Sequence, residues 1–255
     1  MKLGIYQCRA AGRSAEARLE VLDAHLRGQE LDLLVCPELF ISGYNVGSEI
    51  DRLAEPPDGP FGRQMAALAV RHGCAIVYGY PERGLDGVYN SAALYDAGGV
   101  LQATHRKQLP SPGSFEEAAF GRGEGVTFAE VNGWRIAMVI CYEVEFPETI
   151  RAAAQGGAQL VLVPTALGAD WGVVAEKLVP ARAYENGIYL AYANHAGTEN
   201  GAAYFGGSRI VGPDGREVAV AAQEEGLIQG EIAQARVEVM QARLPFLRDC
   251  KALEC

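Results

Sequence analysis

The sequence predicts an α/β fold: one domain, built as a mixed-sheet sandwich with helices outside. Three observations predict it. Short apolar, β-branched runs alternate with amphipathic helical segments along the chain. Tight turns rich in Gly, Asn and Pro join several of those runs into hairpins. No linker, low-complexity tract or internal repeat divides the 255 residues, a length that suits a single domain with a sizeable core.

The elements follow in order. Residues 3–7 are a strand. Residues 15–26 place Leu19, Leu22 and Leu26 on one face, the spacing of an amphipathic helix. Residues 31–36 are a short buried strand ending at Pro37-Glu38, and residues 61–72, with Met65, Leu68 and Ala69 on one face, are a second helix. Strands follow at 74–79, 91–95 and 100–105, the last two joined by the turn Asp96-Ala97-Gly98-Gly99. Asn132-Gly133 is a two-residue hairpin signal between 126–131 and 134–140. Pro147-Glu148 then opens a helix over the alanine-rich 149–155, with proline tolerated and an acid favoured in its first turn. A strand at 160–163, a helix near 173–185 and a strand at 188–193 come next. Residues 205–211, the turn Pro213-Asp214-Gly215, and residues 217–220 and 227–232 add a β meander. Residues 244–255 carry little pattern and are expected to be a tail that packs on a partner subunit.

Composition narrows the function classes. The chain is 49% hydrophobic and 21% charged, as in an ordinary soluble globular protein. A formal charge of -10 argues against nucleic acid, whose phosphates need a basic surface. No signal peptide is visible before the first strand and none is expected, and no run of about 18 apolar residues suits a membrane span. Cysteines at 8, 36, 74, 141, 250 and 255 contain no Cys-x-x-Cys pair, and His25, His72, His105 and His195 show no ligand spacing. A cytoplasmic protein without metal or cofactor is expected. The Gly121-x-Gly123-x-Gly125 stretch lacks the strand–helix context of a dinucleotide loop, and no nucleophile elbow or P-loop is present.

Three side chains stand at comparable places. Glu38 follows the strand 31–36, Lys107 follows 100–105, and Cys141 follows 134–140 where that strand turns toward a helix. Ends of sheet elements are where ligands of open α/β folds bind. Taken singly, Cys141 fits a packed core thiol as well as a reactive one, Glu38 fits a turn and Lys107 fits a solvated charge. Taken together they supply a thiol, a base and a cation. The thiolate is the nucleophile, a carboxylate in a dry pocket gains proton affinity, and a fixed ammonium stabilises an oxyanion.

The chain resembles the nitrilase superfamily of carbon–nitrogen hydrolases. The segments that carry the resemblance are Cys36-Pro37-Glu38-Leu39 with Gly43-Tyr44, His105-Arg106-Lys107, Ile140-Cys141-Tyr142-Glu143 with Phe146-Pro147-Glu148, Pro164-Thr165-Ala166, Arg182-Ala183-Tyr184-Glu185-Asn186, Ala193-Asn194, and Gly207-Ser208 through Pro213-Asp214-Gly215. They span nearly the full length in the family's order. The resemblance implies a four-layer αββα sandwich that dimerises into an eight-layer assembly, and a catalytic Glu38, Lys107 and Cys141. It also implies a second glutamate that orients the lysine. Glu116, four residues before Phe120, takes that role, although adjacent Glu117 leaves the register open.

By resemblance and chemistry together, the expected activity is an amidase that releases ammonia from a small neutral or cationic carboxamide through a cysteine thioester. The backbone N–H of Tyr142 is expected to share the oxyanion with Lys107. Ala166 and Trp171 are candidate pocket walls. Val144 and Glu145 stand where N-carbamoyl amino acid hydrolases place arginines for a substrate carboxylate, and Glu145 would repel an anion if it faced the pocket. A nitrilase or an N-carbamoyl-amide hydrolase is the alternative, and a non-catalytic scaffold of the same fold is a third reading. Glu143, Glu145 and Asp170 would favour a basic amine if they faced the substrate, and otherwise are solvated or paired acids.

Overall fold

Side chains alternate across a strand, and here the strands are apolar on both faces. Leu3, Ile5, Leu33, Val35 and Val77 point one way; Tyr6, Leu34, Ile76 and Tyr78 point the other, and all are buried. Strands with two apolar faces require a cover on each side. The computed structural model of the protein, which describes residues 1–10 and 12–253, shows how that cover is supplied.

Strand β1 (Lys2–Gln7) leads to helix α1 (Ala15–Leu26), whose first turn is capped where Ala17 N donates to Ser14 Oγ at 3.3 Å. Strand β2 (Leu33–Val35), the short helix α2 (Glu49–Leu53) and helix α3 (Pro60–His72) follow, α3 ending on left-handed Gly73 at φ 60°. Strands β3 (Ala75–Arg83), β4 (Val88–Tyr95) and β5 (Leu101–Arg106) form an antiparallel meander. A one-turn helix α4 (Glu116–Ala119) precedes β6 (Thr127–Val131) and β7 (Trp134–Met138), which pair through the predicted Asn132-Gly133 hairpin. Then come α5 (Pro147–Gln155), β8 (Leu160–Pro164), α6 (Val179–Asn186) and β9 (Tyr189–Ala193). A two-residue ribbon of β10 (Thr198–Glu199) and β11 (Ala202–Ala203) leads to β12 (Arg209–Val211) and β13 (Glu217–Val220). Strand β14 (Gly226–Glu231) returns to pair antiparallel with β1, before helices α7 (Gln234–Arg243) and α8 (Phe246–Asp249).

The two six-stranded sheets run β14-β1-β2-β3-β4-β5 and β13-β12-β9-β8-β7-β6. Their inner faces meet in one core that includes Leu3, Ile5, Val77, Ile136, Leu162 and Tyr189. Leu22, Leu26, Met65 and Leu68 of α1 and α3 cover the outside of the first sheet, and Ile150, Ala153, Val179 and Ala183 of α5 and α6 cover the second. The layers are αββα in a single domain. Strands β1, β2 and β3 are parallel, as are β7, β8 and β9. Strand β5 runs the same way as β3, since each pairs antiparallel with β4. The carboxyl ends of β2 and β5 therefore share one rim of the first sheet, and those of β7, β8 and β9 share one rim of the second.

Several elements depart from the pattern reading. Residues 173–185 are not one α-helix: a π-helical turn (Val174–Leu178) precedes α6, whose second residue, Pro180, has no N–H for the ladder. The expected strand 205–211 shrinks to Arg209–Val211 because Gly206 and Gly207 take φ of 66° and 59°. Helix α7 had no apolar period to reveal it; Val237 is its one buried residue. Residues 244–253 form α8 and a 3-10 turn that pack on α5 and α6, with the Phe246 ring 5.7 Å from Tyr184. Glu254 and Cys255, the end of the expected interface tail, lie outside the described residues. Among those described, no helix is long and apolar enough to cross a membrane.

Candidate active site

Glu38, Lys107 and Cys141 converge. Each follows the carboxyl end of a strand, β2, β5 and β7, and all three are buried. Lys107 Nζ donates to Glu38 Oε1 at 2.7 Å, to Glu116 at 2.8 Å and to Ser111 Oγ at 3.2 Å. Glu116 is 1% exposed, whereas Glu117 is exposed, so it is Glu116 that touches the lysine. Glu38 Oε1 also accepts from Asn90 Nδ2 at 2.7 Å, while its second oxygen, Oε2, is buried without a partner among the described residues.

The backbone is bent to present these groups. Cys141 opens a 3-10 turn (Cys141–Glu145) at φ 49°, and Leu39, beside Glu38, sits at φ 48°. A left-handed conformation costs a residue with a side chain about 1–2 kcal/mol. It is repaid by anchoring, and Glu143 is the main anchor. Its Oε2 accepts from Ile140 N at 2.6 Å and faces His105 Nε2 at 2.9 Å, while Oε1 accepts from Gln108 N at 2.7 Å. One buried carboxylate thus ties the residue before Cys141 to the residue after Lys107. Glu143 is not a pocket acid. On the other side, the loop after β2 lies directly on β3: a Cβ on Gly79 would meet Leu39 N at 2.3 Å and Pro37 O at 2.6 Å, so only glycine permits the approach.

His195, after β9, supports Glu38 from behind. Burial, with Arg18 nearby, pushes its pKa down to about 3, so the ring is neutral at ordinary pH. Nε2 lies 2.7 Å from the Glu38 carbonyl, which can only accept, so the ring proton sits there; Nδ1 then accepts from the Cys8 thiol at 3.1 Å. Asn194 holds the loop after β8: its Oδ1 accepts from Leu167 N at 2.8 Å and its Nδ2 donates to Gly206 O at 2.9 Å.

Electrostatics set the protonation states. Burial, reinforced by Glu38, pushes the Cys141 thiol up to about 12, so it rests protonated. Burial likewise raises Glu38, against the opposing pull of Lys107. Burial would lower Lys107, but Glu38 and the other acidic groups around it outweigh that and hold it above its ordinary value. The lysine is a fixed cation. A resting thiol needs a base in reach, and Glu38, with its free oxygen and raised proton affinity, has the properties of one.

Cys141 lines a cavity of about 660 Å³ together with Tyr142, Ala166, Trp171, Glu145 and Tyr44, among others, and Ser111, which Lys107 contacts, lines it too. Both candidate walls, Ala166 and Trp171, line it, and Trp171 is 64% exposed at the mouth. Asp170 is exposed and is not among the lining residues. Sequence reasoning missed Asn90, Ser111 and the role of Tyr44, whose hydroxyl donates to Glu116 Oε1. A buried asparagine inside the apolar run of β4 was the available signal for the first. The proline- and glycine-rich 109–114 stretch suggests a pocket lip, and Ser111, Pro112 and Ser114 do line the cavity, but its pattern does not give Ser111 a contact with the lysine. Tyr44 is placed by a buried relay in which Glu199 Oε2 accepts from Tyr44 N at 2.9 Å and Asn45 N at 2.7 Å, while Arg18 Nη2 pairs with Glu199 Oε1 at 3.2 Å.

Comparison with known proteins identifies the family. The carbon-nitrogen hydrolase family model matches residues 2–242. A protein of Pseudomonas protegens described as a hydrolase in the pqqF 5′ region is 40% identical over 98% of this chain and 88% of its own length. An (R)-stereoselective amidase of Pseudomonas sp. is 31% identical, covering 86% of this chain and 80% of that protein. The solved NitN amidase of Nesterenkonia sp. AN1 superposes with a TM-score of 0.81 at 34% identity, over 98% of this chain and 99% of that one. Structures of that amidase include one with acrylamide added at its active-site cysteine and one in complex with butyramide. The chain belongs to the carbon–nitrogen hydrolase family of the nitrilase superfamily, as an amidase-like member that hydrolyses carbon–nitrogen bonds other than peptide bonds.

Proposed function

We propose that the protein is an amidase that converts a small neutral or cationic carboxamide to its carboxylic acid and ammonia, with Cys141 as nucleophile. The observation that carries this reading is the buried Lys107, bridged between Glu38 and Glu116 and donating to Ser111, which lines the same cavity as Cys141. Glu38 takes the thiol proton through its free oxygen as the sulfur attacks the amide carbon. The developing oxyanion meets the Lys107 ammonium and the backbone N–H of Tyr142, the kind of fixed donors that stabilise charge as it develops. Glu116 and Ser111 hold the ammonium on its aim, and Tyr44 holds Glu116. Glu38 then returns the proton to the leaving nitrogen, ammonia departs, and a thioester remains. Water, deprotonated by Glu38, attacks that thioester and frees the acid and the thiol. Splitting the hydrolysis in two lowers each barrier.

The amidases among the relatives support an amide substrate, and the cavity supports the exclusion of N-carbamoyl amino acids, because no arginine lines it among the described residues. Ammonia release from parallel panels of amides, nitriles and carbamoyl compounds separates the three. Cys141→Ala is expected to abolish turnover with an unchanged far-UV spectrum and melting temperature; retained activity would sink the reading. A homodimer, with residues 244–255 at or near the interface, belongs to the same proposal, as does a cytoplasmic location.

A further inference from the structure

The wall of the cavity holds a carboxylate with no direct partner among the described residues. Glu145 is the one charged side chain among the described residues that line it. Its backbone is fixed: Arg182 Nη2 donates to Glu145 O at 2.7 Å and Arg182 Nε to Val144 O at 3.2 Å, while Nη1 pairs with Glu185 at 3.1 Å. The guanidinium that could have neutralised Glu145 is spent on the backbone of the same turn and on another acid. Lys107 is committed to Glu38, Glu116 and Ser111. Among the described residues, the Glu145 carboxylate makes neither an ion pair nor a hydrogen bond, although it is half-buried. A partly desolvated carboxylate without a partner is unfavourable, and a ligand cation is what relieves it.

The rest of the wall has matching chemistry. Tyr44, Phe115, Tyr142, Trp171 and Tyr204 line the same cavity, with Tyr44 edge-on to Phe115 at 5.1 Å and to Tyr204 at 6.5 Å. Aromatic faces attract ammonium groups and offer nothing to a carboxylate. We infer that Glu145 and this aromatic wall form an ammonium subsite, so that the substrate is an amide bearing a basic amine on its acyl chain and amides bearing a carboxylate are excluded. The inference rests on the amidase reading for the position of the scissile bond. Glu145 lies one turn beyond Cys141, so the amine should stand a few bonds from the carbonyl.

Substrates of equal length and different charge test this. β-Alaninamide and γ-aminobutyramide are compared with butyramide and valeramide, in which methyl replaces ammonium, and with succinamate and glutaramate, which carry a carboxylate. The expected result is a kcat/KM for the better amine amide on the order of tenfold or more above its methyl isostere, with the anionic amides below that isostere. Glu145→Gln should bring both ratios toward one, and Glu145→Lys should invert the order; because each ratio is taken within one variant, a general loss of activity cannot imitate it. Amine and methyl isosteres hydrolysed equally by wild type, or ratios unmoved by Glu145→Gln, would overturn the subsite. If no amide releases ammonia at all, the amidase reading fails instead. The subsite is then read from protection of Cys141 against iodoacetamide, where the amine amides must protect at lower concentration than their methyl isosteres.

Discussion

Glu143 shows why a residue's type is a poor guide to its place. Beside a nucleophile it fits a pocket acid or a paired one, and the structure makes it the second: it is fully buried and accepts from Ile140 N and Gln108 N while facing His105. Burial would raise its pKa, but His105 and the two backbone donors override this and hold it below the ordinary 4.5. The sign follows: this tie contributes stability above the unfolded value and loses it as pH falls through the lower folded value. Glu143→Gln keeps the shape but offers one acceptor oxygen, and turns an NH2 toward a backbone N–H. A buried hydrogen bond to a charged group is worth about 1.5–3 kcal/mol, and if that loss falls on the geometry of Cys141, kcat should drop about ten- to hundredfold. Single-turnover acylation and the alkylation rate of Cys141 check it, and a variant within twofold of wild type on both would show that the carboxylate merely fills space.

At the scale of elements, the rim loops carry the site and glycine sets how closely they approach. Gly123 N donates to Lys107 O at 2.9 Å, and a Cβ there would lie 1.9 Å from Arg106 O. The glycine-rich 121–125 segment, without the context of a dinucleotide loop, is a backbone clamp on the strand end that presents the lysine. Gly123→Ala must push that backbone away, so both melting temperature and kcat should fall. Gly226→Ala, in open space at the start of β14, should stay within about 0.5 kcal/mol of wild type in urea unfolding. Equal effects of the two substitutions would refute the clamp. Strand ends that share a rim bring together residues about 70 and 35 positions apart, and periodicity along the chain locates those ends well. It does not locate the short pieces between them. Helix α4, four residues long, has no period to detect, yet it is what turns Glu116 inward and Glu117 out.

For the whole molecule, the four-layer sandwich leaves Trp171, Val173 and Tyr184 exposed along residues 171–184, on the side of α6. Light scattering is expected to give twice the chain mass, and Tyr184→Glu to shift it toward one; a monomeric wild type would remove the dimer from the proposal. The sequence by itself determined a mixed-sheet sandwich, and its resemblance to the nitrilase superfamily singled out Glu38, Lys107 and Cys141 as the candidate reactive groups. Doubly apolar strands must be covered on both faces, Asn132-Gly133 and Pro147 dictate their turns locally, and Glu38, Lys107 and Cys141 each follow a strand whose end the pattern marks. Only the tertiary structure decided which acids face what. Glu116 against Glu117, Glu143 against Glu145, and the committed Arg182 differ by contacts made across the two sheets. A side chain's charge is written in the sequence, but its partner is chosen by packing between segments far apart in the chain, and the partner decides whether a carboxylate anchors a turn, holds a lysine or waits for a substrate.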